Sequence, residues 1–184
     1  ALGVAQVIIS EKLYDADYVK ANTDLPLLVR MDTGKLLQAG DVIPNYKLAE
    51  LGNGITLLKA GQIPPPPFKQ AFAILTEAKR AEWGDFVVWD KKQNAPAALN
   101  RDQVNKFFAQ TQLDPALEGT FKVKLTDGST IDCRPVFDLT KQMLDQTYVP
   151  GNVERITWAP AECVQSLARQ IAANPEQTSI AMGM

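Results

Sequence analysis

The chain has 184 residues, of which 46% are hydrophobic and 22% charged, with a formal net charge of −2. That balance suffices to bury a core, which sets aside a disordered chain, and it lacks the basic stripe with aromatic platforms expected of a nucleic-acid binder. No run of about 20 apolar residues and no basic-then-apolar leader is present, so the leader of any exported parent is expected before residue 1.

Residues 2 to 13 place Leu2, Ala5, Ile8 or Ile9 and Leu13 at helical spacing, which predicts an amphipathic helix with those residues inward. Asp15 is placed to cap a short helix over Tyr18 and Val19. In "LPLLVRMDTGKLLQ" two apolar runs flank Asp32-Thr33-Gly34, and Gly34 can take the positive φ of a tight turn, so a hairpin is predicted. Arg30 in that hairpin could meet a phosphate or a partner subunit, with a solvated arginine as the preferred reading.

From 40 to 82 the pattern weakens. Gly52 and Gly54 mark a turn, and Pro64 to Pro67 lack amide donors and favour an extended polyproline conformation. That run is read as a rigid surface connection in preference to a peptide-recognition motif. "FKQAFAILTEAKRAEW" follows as a helix, or a loop that becomes one.

"FVVWD", Phe86 to Asp90, is a strand by its β-branched and aromatic content, leading through "KKQNAP" to "AAL". In "FKVKLTDGSTIDCRPVF" the residues Phe121, Val123 and Leu125 alternate with polar ones, Asp127-Gly128 makes the turn, and Ile131 and Cys133 keep the apolar parity. A hairpin with one buried face is predicted, and Pro135 ends its regular pairing or marks an edge. "DLTKQMLDQT" is helical. After "YVPGNVERITWAP", Pro160 suits a first helical turn, with Val164, Leu167, Ala168 and Ile171 as the inward stripe and Asn174-Pro175 as the stop. Ser179 to Met184 is a short apolar run of the kind that forms a buried strand. No internal repeat is present.

Chemistry is sparse. With no histidine in the chain, the commonest metal ligand and the side chain best suited to acid and base work near neutrality are missing. Cys133 and Cys163 lack metal or redox spacing and are read as buried small apolar residues in preference to a disulfide. The carboxylates Asp85 and Asp90, or Asp127 and Asp132, could be paired on paper, but acids beside turns are ordinarily solvated, and no catalytic residue is assigned. No phosphate-binding glycine loop occurs. From the residues alone, the chain is a mixed α/β segment without a visible active site.

The ordered set of residues says more. "ALGVAQVIISEKLYDADYVKANTDLPLLVRMDTGKLL", "ALEGTFKVKLTDGSTIDCRPVFDLTKQML" and "YVPGNVERITWAPAECVQSLARQIA" resemble, in that order and with a "VWD" strand between the first two, the catalytic subunits of the molybdopterin oxidoreductases. The branch resembled is that of the dimethyl sulfoxide reductase superfamily containing nitrate, perchlorate, chlorate and selenate reductases, dimethyl sulfide dehydrogenase and ethylbenzene dehydrogenase. The resemblance covers most of the chain outside 40 to 82. Two departures stand out: the usual Glu after "YTP" is Gly151, and the usual "TGVP" reads Thr157-Trp158-Ala159-Pro160.

The resemblance implies a parent enzyme that holds molybdenum between two molybdopterin guanine dinucleotides, with an iron-sulfur cluster and the metal-ligating Asp upstream of residue 1. The cofactor carries the difficult chemistry and the protein supplies binding and electrostatics. The chain is then expected to be an internal piece joining two dinucleotide-binding lobes, mixed α/β in class, with helices and small antiparallel hairpins. Residues 1–39 would end one cofactor lobe, 40–140 form a divergent connection and hairpin region, and 141–184 open the next lobe. Met182, Gly183 and Met184 are the cofactor-binding candidates, as backbone near a pterin or substrate channel, with a plain core strand as the preferred reading; no metal ligand is assigned, and residues 1–184 alone are expected to bind no cofactor and to be inactive. Expected partners are the rest of the catalytic subunit, an iron-sulfur electron-transfer subunit and a small oxyanion such as nitrate or a related organic substrate. Neither nucleic acid nor direct membrane insertion is expected. The expected location is periplasmic, or a membrane-associated complex on the cytoplasmic side, in a prokaryote. A stand-alone binding or assembly module is the alternative.

Overall fold

The computed structural model describes residues 1–49, 57–59, 73–75, 77–100 and 102–178. Their elements in chain order are α1 (Leu2–Ser10), α2 (Ala16–Asn22), β1 (Leu28–Arg30), α3 (Ala39–Val42), β2 (Leu57–Lys59), β3 (Ala73–Leu75), α4 (Glu77–Trp83), β4 (Phe86–Asp90), β5 (Ala95–Leu99), β6 (Phe121–Lys124), β7 (Thr130–Pro135), α5 (Val136–Thr147), α6 (Pro150–Thr157) and α7 (Ala161–Ala173). The class is mixed α/β with small antiparallel sheets, as expected from the sequence. Two units form: Ala1–Val19 with Phe137–Met184, and Lys20–Val136.

In the second unit β7 is the middle strand of a sheet ordered β1-β7-β6, antiparallel on both sides. The Asp127-Gly128 hairpin forms as predicted, with Gly128 at φ 90 and Val123, Leu125 and Cys133 buried on one face. Pro135 ends β7 but still faces Leu28 across the ladder, so it closes a central strand and does not mark an edge. The Asp32-Thr33-Gly34 turn also forms: Gly34 has φ 69 and its amide donates to the Arg30 carbonyl at 2.8 Å, while Leu37 donates to Leu28, also at 2.8 Å.

β4 pairs with β5 over five residues and touches the first hairpin through Leu27 opposite Val88 and Gln38 opposite Phe86. Alternation along these strands divides their side chains between two clusters. Leu28 and Val87 join Leu37, Ala39, Val123, Leu125 and Cys133, whereas Leu27 and Val88 join Leu99. The period of two explains why "VV" is buried on both sides of its strand. Trp89 stacks on Phe121 with ring centroids 4.6 Å apart. The stretch from 68 to 83, read as a helix or a loop that becomes one, turns helical late: 73–75 pairs in parallel with 57–59, and the helix starts at Glu77. A short three-residue β ladder thus claims the apolar residues first, and helix takes over where charged residues begin.

In the first unit α1 meets α6 and α7, and α7 meets α6. The inward residues of α1 are Gly3, Gln6 and Val7, while Leu2 and Leu13 are exposed. The predicted face is therefore rotated. The cause is Gly3: a β-carbon there would stand 2.7 Å from Val153 and 3.3 Å from Val164, so α1 turns its smallest residue toward its neighbours and lets helices approach closely. Gln6 is tolerated inside because its amide donates to Asp145 at 2.9 Å.

Asp15 caps α2 as expected, accepting from the amides of Asp17 and Tyr18 at 2.9 Å each. On α7 the buried residues are Val164 and Ala168, and Asn174 caps its end, but Leu167 is 49% exposed. Val164 and Ala168 are four apart and define the seam; Leu167 lies one position off it. α6 was hidden in the sequence because Pro150 and Gly151 suggest a loop, yet proline is well suited to a first helical turn and Gly151 sits in open space.

Candidate functional site

The structure buries two acids that the sequence left at solvated turns. Asp85 and Asp90 are each 1% exposed, and the physical reason is that each replaces water with protein donors.

Asp85 sits where α4 turns into β4. Gly84 makes the corner with φ 62, and a β-carbon on it would collide with the side-chain amide of Gln38. That Gln38 is itself engaged in a capping box with Asp41 at the start of α3. The corner aims the Asp85 carboxylate at three donors: Arg80 Nη2 to Oδ1 at 2.6 Å, Tyr46 Oη to Oδ2 at 2.9 Å and the Ala49 amide to Oδ2 at 3.0 Å. Arg80 also donates to the carbonyls of Gly84 at 2.7 Å and Ala49 at 2.9 Å, leaving its Nε as the one buried side-chain nitrogen or oxygen without a hydrogen-bond partner among the described residues. Burial, then the hydrogen bond to Asp85, pushes the Tyr46 phenol up to about 12. The phenol thus stays protonated and stays a donor. Both oxygens of Asp85 are occupied, so the cluster offers no free base and no nucleophile. Its chemistry is that of a clamp holding the segment after α3 against the α4–β4 corner.

Asp90 works in the same way at the other end of β4. Oδ1 accepts from the amides of Lys92 at 3.2 Å and Asp114 at 2.9 Å, which fixes the turn to β5 and the strand-like segment around Pro115. Asp114 in turn meets Lys20 at 2.6 Å and Lys91 at 3.3 Å, and the bond from Lys20 holds its carboxyl below the usual range.

The other sequence candidates are dispersed. Arg30 pairs with Asp32 at 2.9 Å and with Asp41 at 3.5 Å, so it braces its own hairpin. Asp127 accepts from Ser129, and Asp132 faces Lys122, both at the surface. Neither aspartate pair forms a catalytic couple. Both cysteines are free; Cys133 is buried, which pushes its thiol up to about 11, but Cys163 is exposed, because it lies off the Val164–Ala168 seam of α7. Among the described residues no three His, Cys, Asp or Glu side chains stand together in a way that could hold a metal. Met182, Gly183 and Met184, the strand read over Ser179 to Met184, the Gly52–Gly54 turn and the Pro64–Pro67 run lie outside the described residues.

Tyr46 and Arg80 escaped sequence reasoning. Tyr46 and Ala49 come from a segment without periodicity and Arg80 from a stretch read only as helical, and the fold alone brings them to one point.

The fold and this cluster define a mixed α/β protein that spends its buried charges on holding loops in place. A scan against models of known protein families matches none. Individual relatives are clear: the chain is 33% identical to the perchlorate reductase subunit alpha of Dechloromonas aromatica over 94% of its own length and 17% of the relative's, and 30% identical to the respiratory nitrate reductase subunit alpha of Haloferax mediterranei over 94% and 15%. It is also 48% identical to the dimethylsulfide dehydrogenase subunit alpha of Rhodovulum sulfidophilum over 67% of this chain and 10% of that one. The chain belongs to the molybdopterin oxidoreductases of the dimethyl sulfoxide reductase superfamily. It spans about a sixth of the length of the first two relatives.

Proposed function

We propose that this chain is an internal segment of the catalytic subunit of a molybdenum oxidoreductase that acts on a small oxyanion, such as nitrate, or on a related organic substrate. The observation that supports it is the alignment with perchlorate and nitrate reductase alpha subunits across 94% of the chain. In this reading residues 1–39 end one dinucleotide-binding lobe, 40–140 form a connection, and 141–184 open the next lobe, with Met182, Gly183 and Met184 presenting backbone to a molybdopterin guanine dinucleotide. In this reading the molybdenum and an iron-sulfur cluster are held by residues elsewhere in the subunit. The segment's part is mechanical: the Asp85 and Asp90 clusters fix the loops that join the lobes. An alpha subunit also implies companion subunits, among them one that carries electrons through iron-sulfur clusters. The location follows its relatives, a respiratory complex in a prokaryote, and among the described residues no helix is long and apolar enough to cross a membrane.

The test is the gene on both sides of this segment and the protein it encodes. A cysteine cluster motif upstream, further lobes downstream, and a purified subunit that carries molybdenum and reduces nitrate, chlorate or perchlorate with an artificial electron donor are the expected result. A gene that encodes only this segment, or a full subunit free of molybdenum after expression in a molybdenum-replete host, would overturn the reading.

A further inference from the structure

We propose that the tip between α6 and α7, Ile156 to Pro160, is the seat of another part of the same polypeptide, with Trp158 as its anchor; this rests on the reading above that the chain is one segment of a longer subunit.

Trp158 closes α6 with φ 60 and ψ 8, in the left-handed region. That region disfavours any residue with a β-carbon, which is why glycine and asparagine usually end helices this way. The other positive-φ residues besides glycine, among those described, are Lys12, Asn45, Asn94, Asn105 and Gln112, so Trp158 is the one bulky aromatic in that conformation. A strained tryptophan is ordinarily held by packing. Here the residue is 89% exposed, and Ile156 two positions earlier is 66% exposed.

The tip is nevertheless rigid. The Trp158 amide donates to the Glu154 carbonyl at 2.7 Å, Thr157 Oγ1 donates to the Val153 carbonyl at 2.8 Å, and the Glu154 carboxylate accepts from the Ala161 amide at 3.2 Å at the start of α7. An apolar wedge is thus carried on a braced backbone, and binding costs that backbone little entropy.

Size selects the occupant. A tryptophan side chain buries about 150–250 Å², and with Ile156 and Pro160 the tip offers about 300–400 Å² against the roughly 600 Å² per partner that a stable separate complex needs. Such a patch holds a partner only when that partner is tethered at high effective concentration, as within one chain. Exposed Glu154 and Glu162 against the single exposed Arg155 leave the tip net negative, which also disfavours an anionic membrane surface. The complementary surface is an apolar hollow with a main-chain carbonyl to accept the indole N–H.

Hydroxyl-radical footprinting of the complete subunit and of the 184-residue chain reads this directly, with Trp89, stacked on Phe121, as the internal control. Oxidation of Trp158 should be about tenfold slower in the complete subunit, as for an anchor in a water-excluded pocket, and unchanged by dilution. Trp158→Gly should raise the melting midpoint of the 184-residue chain by relieving strain, and lower that of the complete subunit by emptying the pocket. Equal oxidation in a longer, molybdenum-bearing subunit would overturn this inference and leave the functional reading standing. Protection that vanishes on dilution, that appears only with a second subunit, or that requires vesicles would also overturn it, since the cover would then be another copy, a separate partner or a membrane. Absence of any longer subunit would fail the functional reading first.

Discussion

Replacing Asp85 by alanine should be among the most costly single changes in this chain. Its carboxylate is fully buried at 0% side-chain exposure and pairs at 2.6 Å with Arg80, itself only 11% exposed. Removing the acid strands a guanidinium out of water and deprives Tyr46 and the Ala49 amide of their acceptor. Breaking one side of a buried ion pair costs about 3–5 kcal/mol, against a total stability of about 5–15 kcal/mol for a domain. For a chain of this size that corresponds to a fall of about 6–20 °C in the melting midpoint. Urea and thermal unfolding followed by circular dichroism provide the measurement, with the urea slope expected to stay constant if only the native state is affected. Tyr46→Phe should cost less, about 1.5–3 kcal/mol, because one hydrogen bond to a charged acceptor is lost. The double variant Arg80→Met with Asp85→Leu should recover much of the loss, since no unpaired charge remains. A loss under about 0.5 kcal/mol for Asp85→Ala, the range of ordinary surface changes, would refute the clamp.

Gly84→Ala should lower stability by about 1–3 kcal/mol, since it places a side chain at positive φ and drives it into Gln38; an unchanged midpoint would contradict the corner geometry. Gly128→Val meets open space and should cost only the strain at φ 90, about 1–2 kcal/mol. The Lys20–Asp114 bond should be pH-linked: the folded carboxyl is held below the ordinary aspartate value of 3.8, so the stabilisation is full above that value and disappears as pH falls through the lower, folded one. Lys20→Met should therefore cost about 1 kcal/mol or less at neutral pH, and its midpoint should converge on that of the parent chain in strong acid; a gap that widens with acid would reverse the assignment.

Local features of this protein are determined by local sequence. The Asp127-Gly128 and Asp32-Thr33-Gly34 hairpins, the Asp15 cap and the Asn174 stop each depend on residues within a few positions of one another, where turn chemistry and alternation act directly. The order of such stretches along the chain also carried the resemblance to the family. Tertiary structure alone decided the rest. β1 pairs with β7 across more than a hundred residues, which makes β7 a central strand despite its terminal proline. The same long-range assembly brings Tyr46, Ala49 and Arg80 to Asp85, turning an acid that looks solvated into a buried one. On α1 the pattern predicts the right helix and the wrong face, because close approach at Gly3 sets how the helix is rotated; on α7 it places Val164 and Ala168 correctly on the buried seam but adds Leu167, which lies outside it with Cys163. A single helix's periodicity records how apolar each side is; which side is covered depends on the shape of what packs against it.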